Sequence, residues 1–359
     1  MLNVRVILRL AICVDLGILV KVIIAITSPA IHDHSKAASR DHMHWTAGTV
    51  ASASQPVHAS QVNSSYSETF SFSTIGESTQ PLAGVWTGES GQVIAVGKNG
   101  MMMQRDRYNW SRISIESSMH LTDVWALGFF DIFAVGESGT IIHFDGVSSR
   151  VMSVPTFARL EAIWGAGPTE VFAVGGIGEI LRYNGREWSH MDADTEAYLE
   201  GIWGVDKEYI FAVGAFGTIL HYDGHQWSAM ASNTTEYLSA IGGTGHNDVF
   251  AAGAGGTIVH YDGISWSAMK SGTAQTILAV AGTRPDDVWA VGVGATVLHY
   301  DGHSWSSMNN RSSLPLQDIA LMHGVPVCVD GSGKIYDIVK ASSLERLRSR
   351  ELASHDNVN

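Results

Sequence analysis

Imidazoles, carboxylates and aromatic rings recur in this chain at places where they could do chemistry. His143, His221, His260 and His299 fall at multiples of one spacing, and imidazole is a common ligand for zinc, nickel or copper. A second group, His32, Asp33, His34, Asp41, His42 and His44, crowds a polar stretch near the N-terminus. Imidazoles two residues apart can hold such a metal loosely. A third set reads Pro81, His120, Arg159, Tyr198, Tyr237, Thr276 and Pro315 at one recurring position, with Asp123, Glu161, Glu200 and Asp318 just after it. Aromatic rings beside carboxylates suit a glycan, a peptide or a cation such as calcium.

What these residues can do depends on the elements that carry them, and those elements repeat. Blocks beginning at Leu82, Leu121, Leu160, Leu199, Leu238, Ile277 and Leu316 follow one another every 39 residues without insertion. One block reads LEGIWGVDKEYIFAVGAFGTILHYDGHQWSAM. It divides into four short strands: L-x-x-I-W-G, the near-continuous apolar run VFAVG, then T-I-L-H-Y, and a last strand at W-S-x-M. A short apolar run bounded by turn residues suits a strand buried on both faces. Gly-x-x-Gly turns separate the second and third strands. Asp-Gly or Asn-Gly, a strong hairpin signal, separates the third and fourth at Asp145, Asn184, Asp223, Asp262 and Asp301.

Four strands in about 40 residues, repeated, predict the blade of a β-propeller, and seven lies within the usual four to eight blades. The fold class is therefore all-β, a seven-bladed propeller of four-stranded blades. The seventh block holds only three strands, LQDIALM, PVCVD and KIY. One period before Trp110 falls Ser71, inside the β-prone segment Thr69–Thr74. That segment is expected to supply the outer strand of the last blade, closing the ring and removing an exposed edge.

The block resembles the bacterial propeller repeats grouped with the BNR/Asp-box and Ycf48-like photosystem II assembly families, within the WD40/YVTN/BNR-like superfamily. The resemblance covers residues 82 to about 340. An Asp-box is a Ser-x-Asp-x-Gly-x-Thr-Trp hairpin between the third and fourth strands; here the hairpin is shorter, Tyr222-Asp223-Gly224-His225-Gln226-Trp227. Tectonin-type propellers, which share small tryptophan-bearing repeats and an affinity for surface glycans, are also similar. These resemblances imply a binding or assembly module that recognises a protein or a glycan. A sialidase-like, carbohydrate-active propeller is the alternative, and a purely structural surface protein is the third.

The propeller geometry redistributes the candidate chemistry. Equivalent positions on neighbouring blades lie about 10 Å apart or more, whereas zinc needs ligand nitrogens at about 2.0–2.1 Å. The repeated histidines are thus expected to be structural, the hairpin aspartates turn formers and the tryptophans blade-to-blade packing. The N-terminal histidines read as part of a solvated linker. A sialidase-like site needs an arginine cluster, yet Arg105, Arg107, Arg112, Arg150, Arg159, Arg182, Arg186, Arg284 and Arg311 occupy different columns. No Gly-x-Ser-x-Gly, His-Glu-x-x-His or phosphate loop occurs. A non-enzyme without cofactor or metal is expected. Loops joining the fourth strand to the next first strand vary most, and they share one face with the turns after strand two. Loops on a rigid scaffold carry function, so His120, Asp123, Arg159, Glu161, Tyr198, Glu200, Tyr237 and Asp318 at the channel mouth are the candidate ligand-binding residues.

Composition bounds the partners. With 22 Lys and Arg against 35 Asp and Glu, the net charge is −13, the wrong sign for a phosphate backbone, so nucleic acid is not expected. Residues 1–30 place Arg5 and Arg9 before an apolar stretch from Leu10 to Ile26, then Ser28-Pro29-Ala30. That order suits a signal peptide or N-terminal membrane anchor, hence an exported protein, although Asp15 and Lys21 interrupt it. Residues 31–65 read as a flexible His/Ser/Ala-rich linker, 66–340 as the propeller and 341–359 as a polar tail.

Overall fold

The structure, a computed structural model, describes residues 70–106, 109–308 and 314–340. The expectations for residues 1–30, 31–65 and 341–359 lie outside the described residues. The described strands form seven four-stranded antiparallel sheets, one for each 39-residue block. Blade 4 shows the pattern: Leu199–Asp206, Tyr209–Gly214, Ile219–Tyr222 and Trp227–Met230, paired in sequence order. The first strands stand side by side around the axis, and blade 7 meets blade 1. This is a closed seven-bladed propeller.

Each strand forms for a local reason. The apolar second strands, such as Ile132–Gly136 and Tyr209–Gly214, are buried along nearly their whole length because blades cover both their faces. The hairpin aspartates make the turns: Asp223 Oδ1 accepts the His225 and Gln226 amides at 2.9 and 2.8 Å. Asn184, Asp145, Asp262 and Asp301 do the same in their blades. Those amides hold the Asp145, Asp223, Asp262 and Asp301 carboxyls below the usual range. The turn also needs a residue at positive φ, which Gly224 supplies at +89°.

Between blades the packing is aromatic. Phe133 of blade 2 meets Tyr183 and Trp188 of blade 3 at 5.6 and 6.4 Å, and Phe211 meets Tyr261 and Trp266 at 5.7 and 5.8 Å. The tryptophans of the first strands pack across blades as well. Trp125 lies on Gly165, Trp164 on Gly204 and Trp203 on Gly243, where any Cβ would collide with the indole. The repeated histidines are structural: His143, His260 and His299 pair with Asp131, Asp248 and Asp287 of the adjacent strand at 2.7, 2.7 and 2.9 Å. Blade 3 replaces the pair with Arg182–Glu170, and blade 4 packs His221 against Tyr209.

The ring closes as the sequence indicates. Phe70–Glu77 pairs antiparallel with Lys334–Lys340 as the outer strand of blade 7. Ser71 pairs with Val339, the register that Trp188 keeps with Tyr183 in blade 3. The ring that fills the tryptophan place comes from its neighbour: Phe70 meets Trp289 of blade 6 edge-on at 5.1 Å. On the other side, Trp110 of blade 1 donates its indole N–H to the Ile75 carbonyl at 2.7 Å.

Candidate functional site

Backbone hydrogen bonds fix the mouth of the channel before any side chain acts. In each of blades 1 to 6, the carbonyl just before the first strand accepts the first amide of that blade's turn after strand two. His120 O takes Glu137 N at 3.0 Å, Arg159 O takes Gly176 N at 3.0 Å, Tyr198 O takes Ala215 N at 2.8 Å and Tyr237 O takes Ala254 N at 2.9 Å. The side chains of this column are thereby held at one end of the ring, above the first strands. A channel cavity of about 560 Å³ runs between those strands, and His120, Asp123, Arg159, Glu161, Glu200 and Asp318 all line it.

The candidate residues divide into two sets. Six form a network around the rim from blade 2 to blade 5. Tyr198 donates to Glu161 of the preceding blade, and Tyr237 donates to Glu200 in the same way. Arg159 donates from Nε to Glu161 at 2.6 Å and from its terminal nitrogen to Glu137 at 3.1 Å. His120 Nδ1 lies 3.6 Å from the same Glu137 carboxylate. Burial, then these carboxylates, pushes both tyrosine hydroxyls well above their ordinary pKa. Burial, then the Arg159 charge, lowers the His120 imidazole. The tyrosines are therefore not free-standing platforms, because each caps a glutamate. Glu137, which joins His120 to Arg159, is absent from the sequence reading; its signal was an acidic residue in a turn where the other blades carry Lys98, Gly176, Ala215, Ala254 and Val293.

Asp123 and Asp318 sit apart, one position further along their strands. Each carboxylate stitches two blades together. Asp318 accepts the Ile319 amide at 2.8 Å and, across the seam into blade 1, the Val85 amide at 2.7 Å. Asp123 accepts Val124 N at 2.7 Å and, from blade 3, Ile163 N at 2.9 Å. Blade 1, lying between them, carries Gly84, where a Cβ would run into the Asp123 backbone. Burial pushes Asp123 up to about 6, and burial together with the Asp123 charge pushes Asp318 up to about 8.

An unfolded aspartate ionises near 4, so folding takes up protons in the window from about 4 to about 8. The pair's contribution to stability is therefore complete at the acid end and is lost as pH rises through the folded values. Removing the neighbouring charge with Asp123→Asn is expected to lower the pH at which Asp318 ionises. Carboxyl carbon NMR of Asp318 reads this directly, and an unchanged midpoint would show that the two groups do not interact.

Among the described arginines only Arg159 lines the channel; Arg150 contacts His143, Arg182 pairs with Glu170 and Arg284 pairs with Asp286. The chain matches no family model and no curated protein. Solved structures do match. Ycf48 bound to D1 peptide superposes with a TM-score of 0.63 at 17% identity, over 75% of this chain and 94% of that one. The fold is theirs in common. Virginiamycin B lyase from Staphylococcus aureus gives 0.67 at 10% identity, covering 75% and 98%. The WD40 propeller domain of Doa1 gives 0.66 at 11%, covering 77% and 98%. Binding proteins and an enzyme thus share this architecture, and function has to be argued from the site.

Proposed function

We propose that the propeller is a non-enzymatic binding module that recognises a protein segment through the channel-mouth face. The observation that carries this reading is the rim network. Five of its side chains, together with Glu137, are held in fixed positions by their own hydrogen bonds, with His120 beside Glu137, around an open channel. A surface ordered before its partner arrives loses less entropy on binding. A solved propeller of the same fold, Ycf48, is bound to a peptide, which supports a peptide rather than a glycan as the ligand class.

The test pans a random-peptide phage library and probes a glycan array with the full chain. Saturable peptide binding is expected, weakened about tenfold by Arg159→Ala and by Glu200→Gln, each of which removes a charge from the network. Binding that is confined to glycans would replace the protein reading with a lectin. Turnover of a sialoside would replace it with an enzyme.

A further inference from the structure

The turn after strand two in each of blades 1 to 6 holds two consecutive residues in the left-handed region, on the same face as the channel mouth. At the first of the two, blades 1, 5 and 6 use residues that favour it, Asn99 (φ 56°), Gly255 (63°) and Gly294 (66°), and blade 2 uses the small Ser138 (55°). Blades 3 and 4 use Ile177 (φ 58°) and Phe216 (60°). A β-branched or bulky side chain is strained there. Burial does not compensate for the strain, since Ile177 is 78% and Phe216 83% exposed. Blade 2 reaches the same result by another route. Its connecting loop packs on the Ser138 turn, with the Phe157 backbone against Gly139, and presents the Phe157 ring 93% exposed. Three consecutive blades therefore each raise one large apolar side chain beside the rim network, and nothing in the fold gains from it.

The charge around this crest has one sign. Asp192, Asp194, Glu196 and Glu236 are exposed on the loops flanking Ile177 and Phe216. The arc's one basic rim residue, Arg159, is already held by Glu137 and Glu161. A cavity of about 780 Å³ opens beside Phe216, lined by Asp194, Thr195, Met230, Asn233 and Glu236 among others. It offers an incoming side chain an apolar floor and an acidic edge.

We infer that Phe157, Ile177 and Phe216 form the docking crest for a basic protein segment that carries large apolar side chains among its lysines or arginines. The inference rests on the binding-module reading and specifies its partner. Apolar side chains of the segment cover the crest, and its cations meet the acidic loops. Like-charged acidic segments are rejected by the same surface.

The crest can be removed without harming the fold, because glycine is at ease at positive φ. The triple variant Phe157→Ser, Ile177→Gly, Phe216→Gly is expected to melt no lower than the parent chain. Peptides selected on the full chain from a random-peptide phage library are expected to combine Lys or Arg with Leu, Phe or Trp. Their binding to the triple variant is expected to be weaker by about ten- to a hundredfold, from the loss of the apolar contacts. Selected peptides that are acidic or wholly polar overturn the inference. So do peptides that bind the triple variant unchanged yet lose affinity with Arg159→Ala, an outcome that leaves the binding-module reading standing. If the library yields no binder at all, both fall.

Discussion

A chain lacking Phe70–Glu77 is expected to lose its cooperative thermal transition. That strand is the outer edge of blade 7, pairing from Phe70↔Lys340 to Glu77↔Lys334. It also ties the ring on both sides, since Phe70 packs on Trp289 of blade 6 and the Ile75 carbonyl takes the Trp110 indole of blade 1. Phe70, Phe72 and Ile75 are partly buried, so each contributes less than the about 1.5–3 kcal/mol of full burial, and the hydrogen bond to Trp110 adds about 1 kcal/mol. Together with the lost backbone pairing, a loss of several kcal/mol is a large share of the about 5–15 kcal/mol margin of a typical domain. It would also leave the third strand of blade 7 as a bare edge open to aggregation. Circular dichroism melts check the loss. A permuted chain that carries the same strand after the third strand of blade 7, through a flexible linker, is expected to restore a single transition. If the truncated chain melts as sharply and as high as the parent, the ring does not depend on this joint.

Gly214→Ala is expected to destabilise blade 4 by about 3 kcal/mol and to disturb the mouth with it. Gly214 has extended backbone, so its conformation is open to any residue, but its surroundings are not. A Cβ there would overlap the Tyr198 carbonyl oxygen. The same oxygen accepts the Ala215 amide at 2.8 Å and fixes where Tyr198 stands. Relief of the overlap has to move either the turn or Tyr198, and Tyr198 is the donor to Glu161. Peptide binding should therefore weaken along with stability. Gly245→Ala is the control, because a Cβ at Gly245 meets nothing within 4 Å, and a change within about 0.5 kcal/mol is expected there. Denaturant unfolding of the two variants decides it. Equal losses at both positions would show that the close approach at Gly214 is unimportant.

Much of this architecture was legible because each part of a blade leaves a mark at fixed spacing. The Asp-Gly or Asn-Gly pairs marked the third-to-fourth turns of blades 2 to 6, and Ser71, one period before Trp110, marked the closing strand. The single departure there is local, as the ring comes from Phe70 and Ser71 keeps only the register. The histidine column was legible as structure because equivalent positions on neighbouring blades lie too far apart to share a metal, while its aspartate partners Asp131, Asp248 and Asp287 emerged only with the fold.

The site was less legible. Asp123, Glu161, Glu200 and Asp318 looked like one acidic set, yet the glutamates lie one position earlier in their strands than the aspartates. A β-bulge falls there: Glu161 and Glu200 are the extra, unpaired residues of the bulge, whereas Asp123 and Asp318 occupy the next position, paired with the second strand. The glutamates consequently meet tyrosines at the rim, while the aspartates take backbone amides from the next blade. Ile177 and Phe216 looked unremarkable in a list of residues and became informative only once their φ values and exposure were known.

The sequence alone determined the number of blades, the order of strands within each and the strand that closes the ring, because strand period and turn geometry are properties of short segments. The tertiary structure decided which side chains meet. Tyr198 reaches Glu161, Asp318 reaches Val85 and Phe157 stands on the turn of Gly139 because the ring brings adjoining segments together sideways. No periodicity along the chain specifies how far a side chain reaches across that seam.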